Sequence, residues 1–563
     1  MDIVRRAPGA SIATLVHAGV HPVLARVYAA RGIVGTADLD TALGTLPPYD
    51  SMRGIGEAAA RLADAIAAGE PILIVADYDA DGATACAVGI RGLRALGASV
   101  DFLVPNRFEY GYGLTPEIVD QAALRAPRLI VTVDNGIASH AGVARAAEQG
   151  IEVLITDHHL PVATLPAPAL IVDPNQPGCA FPGKDLAGVG VMFYVLIATR
   201  SELRRRGAFA GRAEPNLAAL LDLVALGTIA DVVRLDRLNR ALVSQGLARL
   251  RAGRGQPGIA ALFSVAGRDV RRASAFDLGY VAGPRLNAAG RLADMSVGIR
   301  CLLADTAASA LPLASELDSL NRERRDVEAT MQNEALAALA DGAVPDATAA
   351  YSLCLYRADW HPGVVGVVAG RLRDRFHRPA IVFARSGDTL KGSGRSIDGL
   401  HLRDALDLVA KRAPGLIGNF GGHARAAGLA LPESHLPAFT AAFEAIAREK
   451  LTPDDLRVTL ATDGPLAADE LDLPLAEHLQ AQVWGQGFMQ PLFDDRFEVA
   501  SQRVVGGRHS RLVLNRAGRA FGAILFDQTE PLPAAIHAAY RPEANEWNGL
   551  RELQLVIEHW RAA

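Results

Sequence analysis

The sequence has few cysteines and no long apolar run. Its four cysteines, Cys86, Cys179, Cys301 and Cys354, lie far apart and form no Cys-x-x-Cys pair, which argues against a disulfide framework and a structural zinc site. No stretch approaches the roughly 18 uninterrupted apolar residues that a membrane span needs. The N-terminus also lacks a convincing signal-peptide cleavage pattern. We therefore expect a cytoplasmic protein whose thiols stay reduced.

The chain also lacks an excess of basic residues. Its 57 Lys and Arg against 62 Asp and Glu give a formal net charge of −5, which argues against a surface built for unspecific duplex binding. This balance does not exclude nucleic acid as a substrate. A cluster of carboxylates at a metal site lowers the total charge, and a basic channel can still lie beside it.

At 563 residues the chain is long enough for several domains. Apolar runs of strand length alternate with alanine-rich helical periods from about residue 55, which predicts βαβ units around a mostly parallel sheet. The predicted strands are, in order, 72–76, 100–104, 129–133, 153–156 and 170–172. The predicted helices are 83–96, 116–124, 138–149 and 216–230, followed by a long charged connector helix at 306–341. Past residue 451, short alternating strands predict a small antiparallel barrel.

Polar clusters follow three of the predicted strands at the point where each strand ends. Asp77, Asp79 and Asp81 follow the first strand. Asp134 follows the third, and residues 157–159 (Asp-His-His) follow the fourth. Ligands of open α/β sheets bind beyond the carboxyl ends of the strands, so we expect these clusters to converge. Carboxylates and imidazoles without cysteine suit manganese or magnesium better than structural zinc, and a cation would offset the repulsion among the carboxylates.

Each cluster taken alone also has a purely structural interpretation. Asp134 begins an Asp-Asn-Gly sequence, which is most often a turn. The sequence from Asp77 resembles a calcium-binding loop, but Val88 occupies the twelfth position, where glutamate is expected. Asp157 alone could cap a helix. The placement of all three clusters at strand ends is what favours a metal site.

These motifs resemble those of the DHH family of phosphoesterases. Residues 77–82 (Asp-Tyr-Asp-Ala-Asp-Gly), 134–136 and 157–159 resemble its first three motifs, and 226–231 (Leu-Gly-Thr-Ile-Ala-Asp) resembles the fourth. The resemblance implies a site for two manganese ions, with magnesium as a substitute. The implied metal ligands are Asp77, Asp79, Asp81, Asp134, His158 and Asp231. We expect catalytic roles for Asp157, which would orient an imidazole, and His159, which would contact the phosphate or assist proton transfer.

The second half of the chain resembles the RecJ branch of this family. The sequence at 421–428 (Gly-Gly-His-Ala-Arg-Ala-Ala-Gly) resembles the glycine-histidine motif of the DHH-associated domain, and 105–113, 283–291, 360–366 and 392–396 are also similar to RecJ sequences. The implied DNA-binding residues are Arg107, Tyr112, Arg285, Asn287, Arg291, His361, Ser393, Arg395, Gly421, Gly422 and His423. Exposed glycine N–H groups and guanidinium forks both suit phosphate oxygens. A single glycine is more often a turn and a single arginine a surface ion pair, so these roles rest on the resemblance.

The expected fold class is α/β: a mostly parallel-sheet DHH domain, a long connector helix, a smaller α/β DHH-associated domain and a C-terminal OB-type β-barrel. The expected parts are an N-terminal helical segment (1–54), the DHH phosphoesterase domain (55–235), a helical region with the connector (236–341), the DHH-associated substrate-binding domain (342–450) and the OB-fold nucleic-acid-binding domain (451–563). In this last region Phe488, Phe493, Phe497 and Phe521 either stack on DNA bases or form the barrel core.

The implied function is metal-dependent hydrolysis of single-stranded DNA from the 5′ end to mononucleotides, in DNA repair and recombination. The expected partners are single-stranded DNA, a single-strand-binding protein and a helicase, and the chain is expected to be a monomer without membrane contact. Two alternatives stay open. One is a nanoRNase or cyclic-dinucleotide phosphodiesterase of the same family, whose chains are much shorter. The other is a catalytically inactive replication scaffold, whose chains lose metal ligands.

Overall fold

A computed structural model describes residues 2–105, 113–340, 349–547 and 550–563. The chain divides into a smaller unit, Met1–Val4 with Leu320–Leu460, and a larger unit, Arg5–Ser319 with Ala461–Ala563. Arg107 and Tyr112, two of the expected DNA-binding residues, lie outside the described residues. Within the described ranges, no helix has the length and apolar content needed to cross a membrane.

The secondary structure is numbered in chain order. The strands are β1 (Asp2–Arg5), β2 (Pro71–Ala76), β3 (Ser99–Leu103), β4 (Leu129–Val133), β5 (Glu152–Thr156), β6 (Leu170–Val172), β7 (Leu353–Tyr356), β8 (Ala380–Ser386), β9 (Thr389–Arg395), β10 (Phe420–Gly422), β11 (Ala426–Leu431), β12 (Thr459–Thr462), β13 (Phe493–Val505), β14 (His509–Arg516), β15 (Arg519–Leu525), β16 (Ala535–Trp547) and β17 (Leu550–Ala562). The α-helices are α1 (Ile12–His17), α2 (Pro22–Ala29), α3 (Ile55–Ala68), α4 (Ala80–Leu96), α5 (Pro116–Ala123), α6 (His140–Glu148), α7 (Gly188–Arg205), α8 (Leu221–Ala230), α9 (Arg237–Arg251), α10 (Pro257–Val265), α11 (Ala275–Asp277), α12 (Gly283–Leu292), α13 (Ser296–Leu303), α14 (Ala307–Ala340), α15 (Val365–Phe376), α16 (Leu402–Arg412), α17 (Leu436–Lys450) and α18 (Leu473–Ala481). A π-helical turn, Leu278–Ala282, joins α11 to α12.

The larger unit contains a parallel sheet in the order β3-β2-β4-β5-β6. Its central strands are apolar on both faces because helices cover both faces. Ile130 packs with Ile118 of α5 and Val143 of α6 on one face. On the other face, Gly89 lets α4 approach so closely that an added Cβ would lie 2.7 Å from Ile74. The parallel sheet predicted from sequence is confirmed, with each strand boundary within one residue.

The predicted connector helix corresponds to α14, and the chain passes from the larger to the smaller unit within it. The smaller unit has a mixed sheet in the order β10-β11-β9-β8-β7, in which β7 and β8 pair in parallel and the other neighbours are antiparallel. Its core contains Phe383, Phe439 and Phe443, all fully buried. The expected second α/β domain is therefore present.

The C-terminal strands form a closed barrel in the order β13-β14-β15-β17-β16. The sequence did not predict β16 and β17, whose pairing shifts register where Ala539 pairs with His559 and Tyr540 with Ile557, so that Glu558 of β17 is an extra residue. The barrel is also not wholly antiparallel as predicted, because β15 and β17 pair in parallel to close it. The phenylalanines Phe493, Phe497 and Phe521 are buried in the barrel core, so the base-stacking interpretation is wrong for these three.

Phe488, the fourth phenylalanine in question, packs outside the barrel. Its ring stacks on Trp484 at 5.3 Å, and the guanidinium of Arg240 lies 4.3 Å from its centroid. The side chain is buried, so it too is a packing residue.

A buried carboxylate ties the N-terminal segment to the barrel. Asp494 of β13 accepts hydrogen bonds from Arg5 Nη2 at 2.7 Å and Thr462 Oγ1 at 2.6 Å, and its Oδ2 lies 2.9 Å from His537 Nε2. Burial opposes ionisation of this group, but the hydrogen bonds outweigh burial and hold the pKa of Asp494 at about 2.

We expect Asp494→Asn to lower the free energy of unfolding by about 2 kcal/mol at pH 7, because the pKa of Asp494 is depressed from 3.8 to about 2 in the folded state. A depressed pKa stabilises the fold above pH ~4, and this stabilisation is lost as the pH falls toward 2. Thermal midpoints measured from pH 2 to 7 should therefore differ most at pH 7 and converge at low pH. Asp469→Asn, at an exposed position in the same region, is the matched control. Equal midpoints for wild type and Asp494→Asn at pH 7 would contradict this assignment.

Candidate active site

The first acidic cluster occupies the turn between β2 and α4. Asp77 continues the sheet beyond β2, since its N–H donates to the carbonyl of Val133 at 3.2 Å. Asp79 is the N-cap of α4, and its Oδ1 accepts from the N–H of Gly82 at 2.9 Å. A carboxylate is favoured there because the first N–H groups of a helix have no partner within the helix. The cap therefore fixes where α4 begins and, with it, the position of Asp81 in the first turn.

Asp81 is buried against the start of a second helix. Its Oδ2 accepts from the N–H of Gly188 at 2.7 Å, and its Oδ1 accepts from the N–H of Val189 at 3.0 Å. These residues begin α7. An added Cβ on Gly188 would lie 2.7 Å from Oδ1 of Asp134. Glycine at this position thus lets α7 approach both carboxylates.

Asp134 follows β4 in a strained turn. Its φ of 63° lies in the left-handed region, which residues other than glycine rarely adopt, and Gly136 has a φ of 115°. The side-chain amide of Asn135 donates to the carbonyls of Val75 at 3.2 Å and Val133 at 2.9 Å, which ties the turn to two strands. Strain that the surroundings enforce in this way is common at functional sites.

Asp157 organises the third cluster, after β5. Its Oδ1 accepts from the N–H of His158 and lies 2.7 Å from Nδ1 of His159, while its Oδ2 accepts from the N–H of Ile137 at 2.9 Å. Partial burial opposes a charge on His159, but the hydrogen bond and charge of Asp157 raise the pKa of His159 to about 9. Burial of Asp157 is likewise outweighed by His159, which lowers the pKa of Asp157 below its ordinary value.

The strand ends and the end of α8 converge on His158. Its Nε2 lies 3.0 Å from Asp134 Oδ1, 3.6 Å from Asp231 Oδ2 and 4.0 Å from Asp81 Oδ2. Asp231 directly follows the last residue of α8. The imidazole of His158 therefore lies in one cluster with carboxylates from three different parts of the chain.

The cluster contains three sets of residues that could each hold a metal ion, and within each set the potential ligand atoms lie within 4.8 Å of one another. The sets are Asp77 with Asp79 and Asp134, Asp81 with His158 and Asp231, and Asp134 with His158 and His159. The structure therefore brings together all the residues that were expected to bind metal, although the sequence places Asp77 and Asp231 more than 150 residues apart.

The electrostatics of this cluster fit a divalent cation. Burial, followed by repulsion from Asp231 and Asp79, raises the pKa of Asp81 well above its ordinary value. Burial and the neighbouring carboxylates do the same to the pKa of Asp134, and burial raises the pKa of Asp231. A divalent cation would offset both effects by favouring the ionised forms. Oxygen donors with an imidazole and no thiolate match manganese or magnesium.

Helix α12 supports the first cluster from outside. The side-chain oxygen of Asn287 accepts from the N–H of Ala80 at 2.8 Å, at the start of α4. An added Cβ on Gly290 would lie 1.8 Å from the carbonyl oxygen of Tyr78, so the helix contacts the turn without an intervening side chain. Asn287, which was expected to bind DNA, is seen here to hold the acidic turn in place.

Arg285 and Arg291, the other expected DNA-binding residues of α12, lie toward opposite ends of the helix. Arg285 forms an ion pair with Asp318 at 2.8 Å and donates to the carbonyl of Val281 at 2.7 Å. Its guanidinium is thus oriented by two protein acceptors. Sequence reasoning did not foresee the ion pair, because Asp318 lies 33 residues away in the connector helix.

The remaining expected DNA-binding residues lie in the smaller unit. Gly421 of β10, Gly428 of β11 and Ser393 of β9 stand side by side in the sheet register. An added Cβ on Gly421 would meet nothing within 4 Å, so the backbone is bare there. Gly422 follows with a φ of 139°. Nδ1 of His423 accepts from the N–H of Arg425 at 3.2 Å, which fixes the turn between β10 and β11.

Arg395 and the start of α15 border this bare patch. Arg395 Nη1 donates to Ser393 Oγ at 3.2 Å. An added Cβ on Gly366 would lie 2.8 Å from the same oxygen, so the first turn of α15 lies against Ser393. Nδ1 of His361 accepts from the N–H of Gly363 at 3.1 Å in the loop before this helix. The structure thus places Arg395 beside Ser393, Gly421 in the same register two strands away, and His361 in the loop before the helix that lies against Ser393.

Sequence reasoning missed two polar residues behind the third cluster. Asp173 is fully buried directly after β6, and burial, followed by the charge of Asp157, raises the pKa of Asp173 to about 8. Nδ2 of Asn175 donates to the carbonyl of His158 at 2.7 Å and so positions that residue. The sequence does contain a signal for Asp173, because this residue directly follows a predicted strand just as Asp134 does.

Comparison with known proteins identifies the chain. The DHH family, N-terminal domain, matches residues 71–228, the DHHA1 domain matches 346–449 and the RecJ OB domain matches 462–559. The chain is 49% identical over 556 residues to the single-stranded-DNA-specific exonuclease RecJ of Salmonella typhimurium (strain LT2), with 96% of each chain covered. The chain belongs to the RecJ family.

Solved RecJ structures share this fold. RecJ from Thermus thermophilus in complex with Mn²⁺ matches with a TM-score of 0.83 at 33% identity, covering 100% of this chain and 79% of that chain. The complex of the same protein with Mg²⁺ matches with a TM-score of 0.77 at 31% identity, covering 100% and 78%. The resemblance to RecJ and the α/β architecture with a C-terminal OB barrel, both predicted from sequence, are confirmed.

Proposed function

We propose that this chain is a divalent-metal-dependent exonuclease that hydrolyses single-stranded DNA from the 5′ end to mononucleotides, in DNA repair and recombination. The observation that carries the proposal is the convergence of carboxylates and His158 at the strand ends, in a chain that belongs to the RecJ family. The relative from Salmonella typhimurium is a single-stranded-DNA-specific exonuclease. We place the activity in the cytoplasm.

The metal centre we propose contains two ions, with manganese preferred and magnesium as a substitute. Its ligands would be the six expected residues: Asp77, Asp79, Asp81, Asp134, His158 and Asp231. Two adjoining ions are supported by the potential ligand sets, which share Asp134 and His158. The choice of metal is supported by the RecJ structures that contain Mn²⁺ and Mg²⁺. When bound, such ions activate water and stabilise negative charge on a phosphate.

Asp157 and His159 would act beside the ligands. Asp157 holds Nδ1 of His159 at 2.7 Å and so fixes the orientation of the ring. An imidazole held in this way can hydrogen-bond a phosphate oxygen or pass a proton to the leaving oxygen. Asp157 would therefore be a positioning residue and His159 a catalytic residue.

The other expected residues would bind the DNA strand. The bare backbone around Gly421 and Gly422, together with Ser393 and Arg395, offers N–H and guanidinium donors to phosphate oxygens. Arg285 would bind phosphate while paired with Asp318. The further DNA contacts in this proposal are Asn287, Arg291, His361 and His423, with Arg107 and Tyr112 outside the described residues.

The division into five parts at residues 54, 235, 341 and 450 is also part of the proposal. The smaller unit and the barrel, which follow the catalytic domain along the chain, would then both bind DNA. We propose a monomer that works with a single-strand-binding protein, which covers the substrate, and a helicase, which supplies it from duplex DNA.

The test is digestion of one oligonucleotide labelled with ³²P at either its 5′ or its 3′ end, in the presence of Mn²⁺. We expect the first labelled product from the 5′-labelled strand to be a mononucleotide, and the 3′ label to remain on a shrinking fragment. A blunt duplex of the same sequence should resist digestion, because the strand must be unpaired to reach the metals.

The possible products separate the competing functions. First release of the 3′ label would contradict the proposed polarity. Cleavage of dinucleotides without attack on longer strands would favour the nanoRNase or cyclic-dinucleotide alternative. No hydrolysis with any divalent ion would favour the inactive scaffold.

A further inference from the structure

Two aromatic side chains are exposed side by side in the larger unit. Phe276 and Tyr280 are 49% and 72% exposed, and their rings stack with centroids 4.7 Å apart and planes inclined by 20°. They are four residues apart, so they lie on the same face of the helix. Large rings held in water in this way mark binding surfaces more often than isolated exposed apolar residues do.

The backbone beneath the pair is a π-helical turn. Phe276 belongs to α11 and Tyr280 to the turn Leu278–Ala282, which continues directly into α12. Leu278 and Val281 are buried on the opposite side of this segment. Single π-turns within helices are frequent at functional sites. The turn thus anchors the segment through its buried face and leaves both rings in solvent.

The segment that carries the pair contacts both a barrel strand and the helix that ends at the candidate metal centre. On one side, Arg272 Nη1 forms an ion pair with Glu546 of β16 at 2.6 Å. On the other side, an added Cβ on Gly279 would lie 3.1 Å from Ile229 of α8. Asp231, a proposed metal ligand, lies two residues after Ile229. The segment therefore spans from a barrel strand to the helix that delivers a carboxylate to the metal centre.

Arginines precede the aromatic rings on the same segment. Arg268, Arg271 and Arg272 have side chains more than half exposed, and each has an acidic partner. A phosphate would compete with that partner for the guanidinium. Arginines next to exposed aromatic rings are typical of grooves that bind single strands, where the rings stack on bases without regard to sequence.

We propose that Phe276 and Tyr280 form a stacking platform for one base of the single-stranded substrate, on the 3′ side of the scissile phosphate. This inference rests on the proposed function, because it assumes a strand that extends from the metal centre toward the barrel. The platform would hold the strand in line while its 5′ end is cleaved, so its loss should weaken substrate binding and leave the chemical step unchanged.

The experiment measures release of the first 5′ nucleotide in Mn²⁺ from single strands that each carry one abasic site at a different distance from the 5′ end. For wild type, we expect one position at which base removal raises KM about tenfold. Tyr280→Ala should raise KM about tenfold on intact strands, with kcat within about twofold of the wild-type value. In this variant, removal of the base at that position should no longer raise KM. Phe276→Ala should act in the same direction.

Matched variants separate stacking from damage to the fold. Leu124→Ala removes another exposed apolar side chain of the same unit and should change neither constant. Tyr280→Trp should retain wild-type KM, whereas Tyr280→Leu should behave like Tyr280→Ala, because only an aromatic ring stacks on a base. Thermal midpoints should match wild type in all variants. Hydrolysis of a dinucleotide should also be unchanged, because it is too short to reach the platform.

Several results would overturn the platform. The platform would be contradicted, and the proposed function left in place, by any of three results. These are an unchanged KM in both alanine variants, an equal sensitivity of wild type to every abasic position, and a loss of dinucleotide hydrolysis in Tyr280→Ala. A wild-type protein that hydrolyses no single strand would overturn the proposed function and the platform with it.

Discussion

Asp134→Asn is expected to reduce hydrolysis of single-stranded DNA on the order of a thousandfold. Asp134 belongs to two of the three sets of potential ligand atoms, and its carboxylate lies 3.0 Å from Nε2 of His158. Asparagine keeps the shape of the side chain but lacks the charge that a divalent ion requires. The measurement is the initial rate of nucleotide release in saturating Mn²⁺.

The same substitution should not destabilise the protein in the absence of metal. Burial and the carboxylates of Asp81 and Asp79 raise the pKa of Asp134, so an uncharged side chain removes repulsion from the folded state. We expect the metal-free thermal midpoint of Asp134→Asn to equal or exceed that of wild type. Asp120→Asn, which breaks an exposed ion pair with Arg145, is the control and should retain wild-type activity. Wild-type rates in Asp134→Asn, or a collapsed midpoint, would argue against a metal ligand at this position.

Gly188→Ala should lower hydrolysis about a hundredfold, although no proposed catalytic group is removed. An added Cβ would lie 2.7 Å from both Cβ and Oδ1 of Asp134, closer than carbon atoms in proteins approach such groups. The N–H of Gly188 also holds Asp81 at 2.7 Å, so the start of α7 cannot move without disturbing a second carboxylate. The prediction is checked by kcat and by the Mn²⁺ concentration needed for half-maximal rate, which should rise.

Gly56→Ala is the matched control for this variant. Gly56 lies inside α3, where an added Cβ would meet nothing within 4 Å. Alanine there should stabilise the helix by up to about 1 kcal/mol and leave hydrolysis unchanged. If Gly188→Ala kept full activity, the close approach of α7 to the acidic cluster would not matter for catalysis.

The parallel sheet and its acidic strand ends were predictable from sequence because their signals are local. A strand covered on both faces is apolar throughout, and a carboxylate just after such a run lies at the ligand-binding edge of the sheet. Asp77, Asp134 and Asp157 follow this rule, and the structure brings all three to that edge. Asp173 follows the same rule after β6 and could have been predicted from it.

The contacts that organise the site were not predictable, because they join distant parts of the chain. The two hydrogen bonds from the start of α7 to Asp81 link residues 107 and 108 positions apart, and no pattern around Gly188 indicates them. The ion pair of Arg285 with Asp318 depends on how α14 packs against α12. In the barrel, strand β17 was missed, and its extra residue Glu558 breaks the alternation on which strand prediction depends.

We expect the strand-end cluster to hold the metal ions that hydrolysis requires. The most direct measurement is the number of Mn²⁺ ions bound per chain after equilibrium dialysis, determined by elemental analysis for wild type and for Asp134→Asn. We expect about two ions per wild-type chain and fewer than about one in the variant. A wild-type chain that binds no Mn²⁺, or a variant that binds as much as wild type, would contradict it.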